Sequence, residues 1–355
     1  MPGSPDTRGT SAEPIMHRAA RIEDAFHEFR ARRARKRGFL ATVVPYTGYG
    51  APTWARILGR VVLARDPRPG SRAERMHRKR EESIRGWRSF ISVPVSDVEV
   101  TVEIEGSTHA VRPDRGGVID TVIPVQLAPG WHTIKMYTAE STRVFEAPVF
   151  IVDPKARFGI ISDVDDTVMV TALPRPFLAA WNTFVLDEHA RVPTPGMAVL
   201  LERLAATNPG TPVIYLSTGA WNVAPTLTRF LSRNLFPAGP LLLTDWGPTH
   251  DRLFRSGREH KRTNLLRLAD EFPGLKWLLV GDDGQHDEAL YAEFATAHPE
   301  NVAAVAIRQL STGEAVLAGG RSKADKHSTL SGSPWVYSPD GAGLSTQLTE
   351  LGLLR

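Results

Sequence analysis

Apolar and polar positions alternate in three different ways along the chain. From about Pro14, Ile22, Ala25, Phe26 and Phe29 recur at helical spacing, which predicts an amphipathic helix with a narrow apolar face running to Arg37, where Gly38 ends it. Met1 to about Glu13 lack such a pattern and read as disordered, so residues 1–38 form a disordered start and one basic helix. From 39 to 152 the pattern changes to short runs with a period of two. Strands are expected at Ala41–Val44, Ile57–Leu63, Val98–Ile104, Val118–Leu127, Gly130–Tyr137 and Arg143–Val152, at sandwich-like spacing. Pro45–Gly50 reads as a turn-rich loop. Its Tyr46 and Tyr49, with Trp54, fit turn and core roles better than a binding edge. Arg72–Arg88 is charged and reads as partly helical.

After the short linker Asp153–Lys155 the apolar runs lose their alternation. Phe158–Ile161, Pro212–Leu216, Leu241–Leu243, Trp277–Val280 and Val302–Ile307 are continuous, as buried parallel strands are. Helical stretches fall between them: Phe177–Ala190 with Phe177, Trp181 and Phe184 on one face, Gly196 to about Asn208, and a helix opened by His260-Lys261-Arg262 and ending near Glu271. The Val302 strand is expected to be the last, followed by a Gly- and Ser-rich tail and a short helix near Leu344–Leu354. The expected fold class is therefore α/β: a parallel sheet with helices on both faces over 155–355, preceded by a smaller all-β, sandwich-like domain over 39–152.

Composition narrows the picture only slightly. Hydrophobic residues make up 42% and charged residues 23% of 355, ordinary for a globular protein. No apolar run reaches the length of a membrane span, and the first residues show no signal-peptide pattern. Cysteine is absent, which removes disulfides, thiol nucleophiles and Cys-based zinc sites and fits a cytoplasmic protein. The net charge is only +4, but Arg30, Arg32, Arg33, Arg35, Lys36 and Arg37 crowd into one segment. Such a helix fits three settings: solvated with one face on its own protein, lying on an anionic membrane, or following a nucleic-acid backbone.

Chemistry concentrates where the continuous strands end. The run Phe158–Ser162 stops at Asp163-Val164-Asp165-Asp166-Thr167, three carboxylates within four residues. In open α/β sheets ligands bind outside the carboxyl ends of the strands, and acids so close need a counter-charge, of which a hard divalent cation is the simplest. A second strand ends at Ser217-Thr218-Gly219, hydroxyls suited to a phosphate oxygen, with Trp221 and Asn222 beyond. Lys261, expected at a helix start where a cation opposes the dipole, is a candidate for binding an anion. A third strand ends in Gly281-Asp282-Asp283-Gly284-Gln285-His286-Asp287. Asp282 suits a metal, and Asp287 a direct or supporting role beside it. Asp283 is expected to face solvent or to orient Lys261. The β-rich stretch offers no comparable cluster.

The Asp-x-Asp-x-Thr stretch resembles the first motif of the haloacid dehalogenase superfamily, and the order of the later pieces over Phe158–Arg308 resembles that superfamily's series. Asp-Val-Asp-Asp-Thr, the Ser217–Asn222 loop with its Trp, His260-Lys261 and Gly281–Asp287 look more closely like the actin-patch-protein-type phosphatidate phosphatase catalytic domain, a relative of the lipin catalytic domain. Asp283 departs from the pattern, where a small hydroxyl residue is expected. The resemblance implies a HAD-like Rossmannoid sheet and Mg²⁺-dependent hydrolysis of phosphatidic acid to diacylglycerol and phosphate. It implies Asp163 as nucleophile, Asp165 as general acid/base, and Thr167 steadying the loop. Ser217, Thr218 and Lys261 would hold the phosphate, and Asp163, Asp165, Asp282 and Asp287 the metal. A phospholipid substrate and an anionic membrane surface would be the partners, with no nucleic acid, and the protein would be cytoplasmic and peripheral at the membrane. Hydrolysis of a soluble phosphomonoester or phosphoprotein, and a non-catalytic lipid-binding or scaffold role, are the alternatives.

Overall fold

The computed structural model describes residues 29–64, 91–170, 192–244, 250–284, 286–317 and 332–355. The charged segment Arg72–Arg88, the aromatic helix carrying Phe177, Trp181 and Phe184, and most of the N-terminal helix lie outside the described residues. Of that helix, 29–35 is helical and turns at Gly38, whose φ of 77° favours glycine. Ala34 packs inward, whereas Phe29, expected on the apolar face, is exposed.

The first half is a largely antiparallel sheet of eight strands. These are β1 (Leu40–Ala51), β2 (Trp54–Ala64), β3 (Ile91–Pro94), β4 (Val100–Ile104), β5 (Ser107–Val111), β6 (Val118–Pro124), β7 (Gly130–Thr138) and β8 (Phe145–Ile151). Their order is β3-β2-β1-β8-β7-β4-β5, with β6 also paired to β2, and β1 and β8 parallel. Pro45–Gly50 is not a loop but part of β1. Its register against β2 shifts between Tyr46 and Tyr49, and a bulge tolerates proline and glycine inside a strand. Gly50 has to be glycine here, because a Cβ would lie 2.2 Å from the Trp54 carbonyl oxygen.

The second half is mixed α/β. Its parallel sheet contains β9 (Phe158–Asp163), β12 (Val213–Ala220), β13 (Leu241–Thr244), β14 (Lys276–Asp282), β15 (Val302–Arg308) and β16 (Trp335–Ser338), while β10 (Met169–Val170) and β11 (Val192–Pro193) pair beside it. The helices are α1 (Met197–Thr207), α2 (Ala224–Arg233), α3 (His250–Glu271), α4 (Asp287–Ala297), α5 (Thr312–Leu317) and α6 (Gly341–Glu350). The sheet order is β13-β12-β9-β14-β15-β16. Counted in chain order this is 3-2-1-4-5-6, so the winding direction reverses between β9 and β14. Outside the carboxyl ends of those two strands is where such a sheet opens a crevice. The Val302 strand is thus not the last: β16 pairs parallel to it, from Val305↔Trp335 to Arg308↔Ser338.

Packing explains why the central strands carry no alternation. Ile160, Ile161, Leu278, Leu279 and Val280 have no exposed surface, each strand being covered on both sides. Gly159 makes room for the buried Trp277, whose ring would lie 2.4 Å from a Cβ there. The main apolar cluster also takes in Tyr46, Tyr49, Leu58 and Val118 from the antiparallel sheet, so the two sheets share a seam.

Helix α6 is locked against the start of α1. Gly341 N–H donates to the Pro195 carbonyl at 3.0 Å, and a Cβ on Gly341 would sit 2.3 Å from the backbone of Gly196. Gly341→Ala should therefore destabilise the protein by about 1–3 kcal/mol through overpacking against rigid backbone. Urea unfolding of both proteins measures this, and an unchanged midpoint is the contrary result.

Candidate active site

Strand register brings the separated motifs to one edge. Leu216 is level with Asp163, so Ser217 lies one residue beyond it on β12. On the other side Val280 is level with Ser162, and Asp282 ends β14. The acids and hydroxyls read from the sequence thus converge at the reversal of winding.

Lys261 is at the centre. It lies inside α3, not at a helix start as expected, because α3 begins about three turns earlier at His250. Gly257, a poor helix former, is kept within α3 for space: a Cβ there would lie 3.0 Å from Thr218 Cγ2. The anion beside Lys261 is therefore not offset by a helix dipole but by direct pairing. Lys261 Nζ donates to Asp163 Oδ1 and to Asp287 Oδ1, both at 2.6 Å, and all three side chains are buried. The second oxygen of Asp163 accepts from the Thr167 hydroxyl at 3.2 Å.

Ser217 has a defined orientation. Its Oγ accepts from Gly219 N at 2.9 Å and donates to Asp165 Oδ2 at 2.9 Å. Thr218, next along, is exposed. Asp282 Oδ1 accepts from Gly284 N at 2.6 Å. Asp287 opens α4 and approaches because residue 281 is glycine: a Cβ there would lie 2.9 Å from Asp287 Cβ. Asp283 neither faces solvent nor orients Lys261. It is buried, its Oδ1 accepts from Leu310 N at 2.8 Å, and its own N–H donates to the Arg308 carbonyl at 2.9 Å. The turn after β14 ties it to the end of β15 and the residues that follow.

Two residues not singled out from the sequence complete the edge. Asp166 has φ of 58°, a left-handed conformation that Asp tolerates better than most residues, and it reverses the chain directly after Asp165. Its carbonyl accepts from Arg308 Nη1 at 2.7 Å. The same guanidinium donates through Nη2 to Glu314 Oε1 at 2.6 Å and through Nε to the Pro339 carbonyl at 3.3 Å. The signal was an arginine closing an otherwise apolar strand, which needs buried acceptors.

The electrostatics are those of a crowded anionic pocket. Burial, followed by the charges of Asp287, Asp165 and Asp282, pushes Asp163 well above the ordinary carboxylate range against the pull of Lys261. Burial and then Asp287 do the same to Asp282. Burial opposes the charge on Lys261, but Asp163 and Asp287 outweigh it and hold the ammonium well above the usual lysine range. His260, beside it, is pushed down to about 4, chiefly by burial, so the ring is neutral at physiological pH.

One lysine does not balance this set. Carboxylate oxygens of Asp163, Asp282 and Asp287 lie within 4.8 Å of one another, and Asp287 Oδ2 is buried without a hydrogen-bond partner. An all-oxygen donor set with excess negative charge suits a hard divalent cation such as Mg²⁺.

Comparison with known proteins falls on the same stretch. Residues 158–309 match the family model described as phosphatidate phosphatase APP1, catalytic domain. These residues are similar to an APP1-type phosphatidate phosphatase catalytic domain. The APP1-type stretch runs from the first residue of β9 to just past Arg308. An uncharacterized protein of Schizosaccharomyces pombe is 25% identical over 238 residues, covering 63% of this chain and 36% of the relative. The phosphatidate phosphatase APP1 of Saccharomyces cerevisiae is 28% identical over 154 residues, covering 42% of this chain and 25% of the relative. The chain thus matches about a third or less of each relative's length. Among solved structures, a carbohydrate acetylesterase from Xanthomonas citri aligns over 83% of this chain and 69% of its own, at 11% identity and a TM-score of 0.31, too low to carry any argument.

The adjacent acids of this domain should separate by experiment. Asp283→Ala strands a buried Leu310 N–H and should cost about 1–3 kcal/mol of stability in urea unfolding. Asp282→Ala should weaken Mg²⁺ binding, measured by calorimetry, far more than Asp283→Ala does. A larger metal defect in Asp283→Ala would reverse the assignment.

Proposed function

We propose that the protein is a Mg²⁺-dependent phosphatidate phosphatase with a HAD-like catalytic domain, releasing phosphate from phosphatidic acid through an aspartyl-phosphate intermediate. The carrying observation is the buried Asp163–Lys261–Asp287 array beside Asp282, inside a stretch that matches a phosphatidate phosphatase family. Asp163 is the nucleophile. It attacks phosphorus in line, its oxygen forming a bond as the bond to the leaving alkoxide breaks. Thr167 and Lys261 fix the orientation of its two oxygens. Asp165 gives its proton to the alkoxide. As a carboxylate it then takes a proton from the water that cleaves the aspartyl phosphate. Ser217, whose hydroxyl reaches Asp165, offers the same proton to an incoming phosphate oxygen. Lys261, with Thr218 at the exposed rim, completes the phosphate contacts.

Asp163, Asp282 and Asp287 would hold Mg²⁺, with Asp165 beside them, and the ion would supply charge neutralisation to the phosphoryl group in transfer. The lipid half of the proposal rests on the family match, together with the exposed Arg30, Arg32 and Arg33 that suit an anionic surface. Among the described residues no helix is long and apolar enough to cross a membrane. Peripheral docking from the cytoplasm is the corresponding proposal for location.

Phosphate release from phosphatidic acid in mixed micelles, with and without Mg²⁺, tests the reading. Activity should require the metal, and Asp163→Asn should abolish turnover while leaving a folded protein with a cooperative thermal transition. Near-normal turnover in Asp163→Asn would remove the proposed nucleophile. Faster turnover of soluble phosphomonoesters than of phosphatidic acid would favour the soluble-ester alternative.

The raised carboxylates give a signed pH dependence. Asp163 and Asp282 bind protons more tightly folded than unfolded, so without metal their contribution to stability falls as pH rises above the unfolded value near 4. A cation offsets the charge that appears. Mg²⁺ should therefore raise the melting temperature more at pH 8 than at pH 5.5, as thermal denaturation will show. A shift independent of pH would mean that these acids do not face the ion.

A further inference from the structure

Among the described residues, two anchors tie the antiparallel sheet to the segments that carry Ser217 and Lys261. The first is Tyr46, at the bulge of β1. Its hydroxyl donates to the Trp221 carbonyl at 3.0 Å, and its ring stacks on the Trp221 ring with centroids 5.1 Å apart and planes 10° from parallel. Both residues are buried. Trp221 opens the 3₁₀ turn Trp221–Val223 that directly follows β12, four residues after Ser217. The second anchor grips the last turns of α3. Glu271 Oε1 accepts from Arg56 Nε at 3.1 Å and Nη2 at 2.6 Å, while its Oε2 accepts from the Tyr49 hydroxyl at 2.8 Å. One turn earlier Arg267 donates to Asp120 Oδ2 at 2.9 Å, and Arg56 Nη1 closes the circuit on Asp120 Oδ1 at 2.5 Å. Arg56 and Glu271 expose only 13% and 15% of their side chains, so this pairing is not a solvated surface contact.

We propose that the antiparallel sheet is a brace for the phosphate site, with Tyr46 as the positioning residue for the Ser217–Trp221 segment and Arg56 as the positioning residue for Lys261. This rests on the phosphatase reading for its effect on turnover, though not for the contacts themselves. Helix α3 transmits the restraint. At a rise of about 1.5 Å per residue, Lys261 sits roughly 9 Å along the axis from Arg267, and a stiff helix carries any axial shift to its ammonium. The seam is not filled throughout. A cavity of about 600 Å³ is lined by Val118 and Asp120 on one side and by Trp221, His260, Asn264 and Arg267 on the other, so side chains of both anchors border it. Where that gap lies the segments reach the sheet through these polar anchors, while apolar contacts such as Tyr49 on Phe272 join them elsewhere along the seam.

The test uses the full chain and three conservative variants. Tyr46→Phe keeps the ring stack and loses one hydrogen bond. Arg56→Lys keeps the charge and loses the paired contact to Glu271. Tyr137→Phe is the control, the same change in the same sheet, where the hydroxyl donates to Glu103 Oε1 at 2.7 Å, away from the parallel sheet. Hydrogen–deuterium exchange should quicken in peptides covering 213–224 for Tyr46→Phe and 257–271 for Arg56→Lys, with α1 unchanged. A misplacement of about 1 Å can cost about 100-fold in rate, so a partial loosening should lower kcat on phosphatidic acid about tenfold, with KM changed less. The control should do neither. Unchanged exchange in both segments, exchange quickened throughout the molecule, or local quickening with full kcat each overturns the brace. A wild-type protein without phosphatase activity would count against the function alone. The same exchange comparison, joined to orthovanadate affinity measured by calorimetry with Mg²⁺, then decides the brace: weakened affinity in both variants supports it, and unchanged affinity overturns it.

Discussion

A lysine buried between two aspartates sets the terms for the rest of the α/β half. An ammonium with little access to water persists only if anions replace its hydration, and Asp163 does so from a strand end and Asp287 from the start of α4. That requirement links a helix, the end of the first strand of the parallel sheet and the start of α4. It also leaves negative charge over, since Asp282 lies among the same oxygens. The fold tolerates this surplus at the edge where the sheet reverses its winding, the place least able to be closed by packing.

The flanking geometry follows from bringing these groups together. Glycine at 281 admits Asp287, glycine at 257 admits α3 to the end of β12, and a left-handed Asp166 turns the acidic loop sharply. Each is a local concession in propensity of about 1 kcal/mol or less, made where the approach of backbone to side chain demands it. The antiparallel sheet joins the same system through Tyr46, Tyr49 and Arg56, which reach across the seam from β1 and β2.

Much of this was legible from residue order. Continuous apolar runs ending in acids marked the parallel strands, because strands covered on both faces cannot alternate. The groups that meet at Lys261 were each visible at a strand end or next to one. What was missed has physical reasons. The start of α3 was obscured by a glycine that is there for space and not for a turn. Pro45–Gly50 carries the composition of a loop, but a bulge accommodates the same residues within a strand. Trp335–Ser338 is a short edge strand with only four residues to signal it. Asp283 was misread because neighbouring acids in a tight turn take different partners, and nothing in their order tells which takes which.

The rim of the parallel sheet has a mechanical property of its own. Arg308 connects the Asp166 carbonyl to the Pro339 carbonyl, Gly341 N–H continues to the Pro195 carbonyl, and Thr194 N–H returns to the Val168 carbonyl in the acidic loop. Together with the chain segments between them, these links form a hoop. An open row of contacts peels from its end, whereas a hoop shares tension around its circumference and yields only when a link is cut. The acidic loop is therefore clamped from two directions by segments far from it in the chain, which adds the stiffness of the circuit to that of the bonds within the loop.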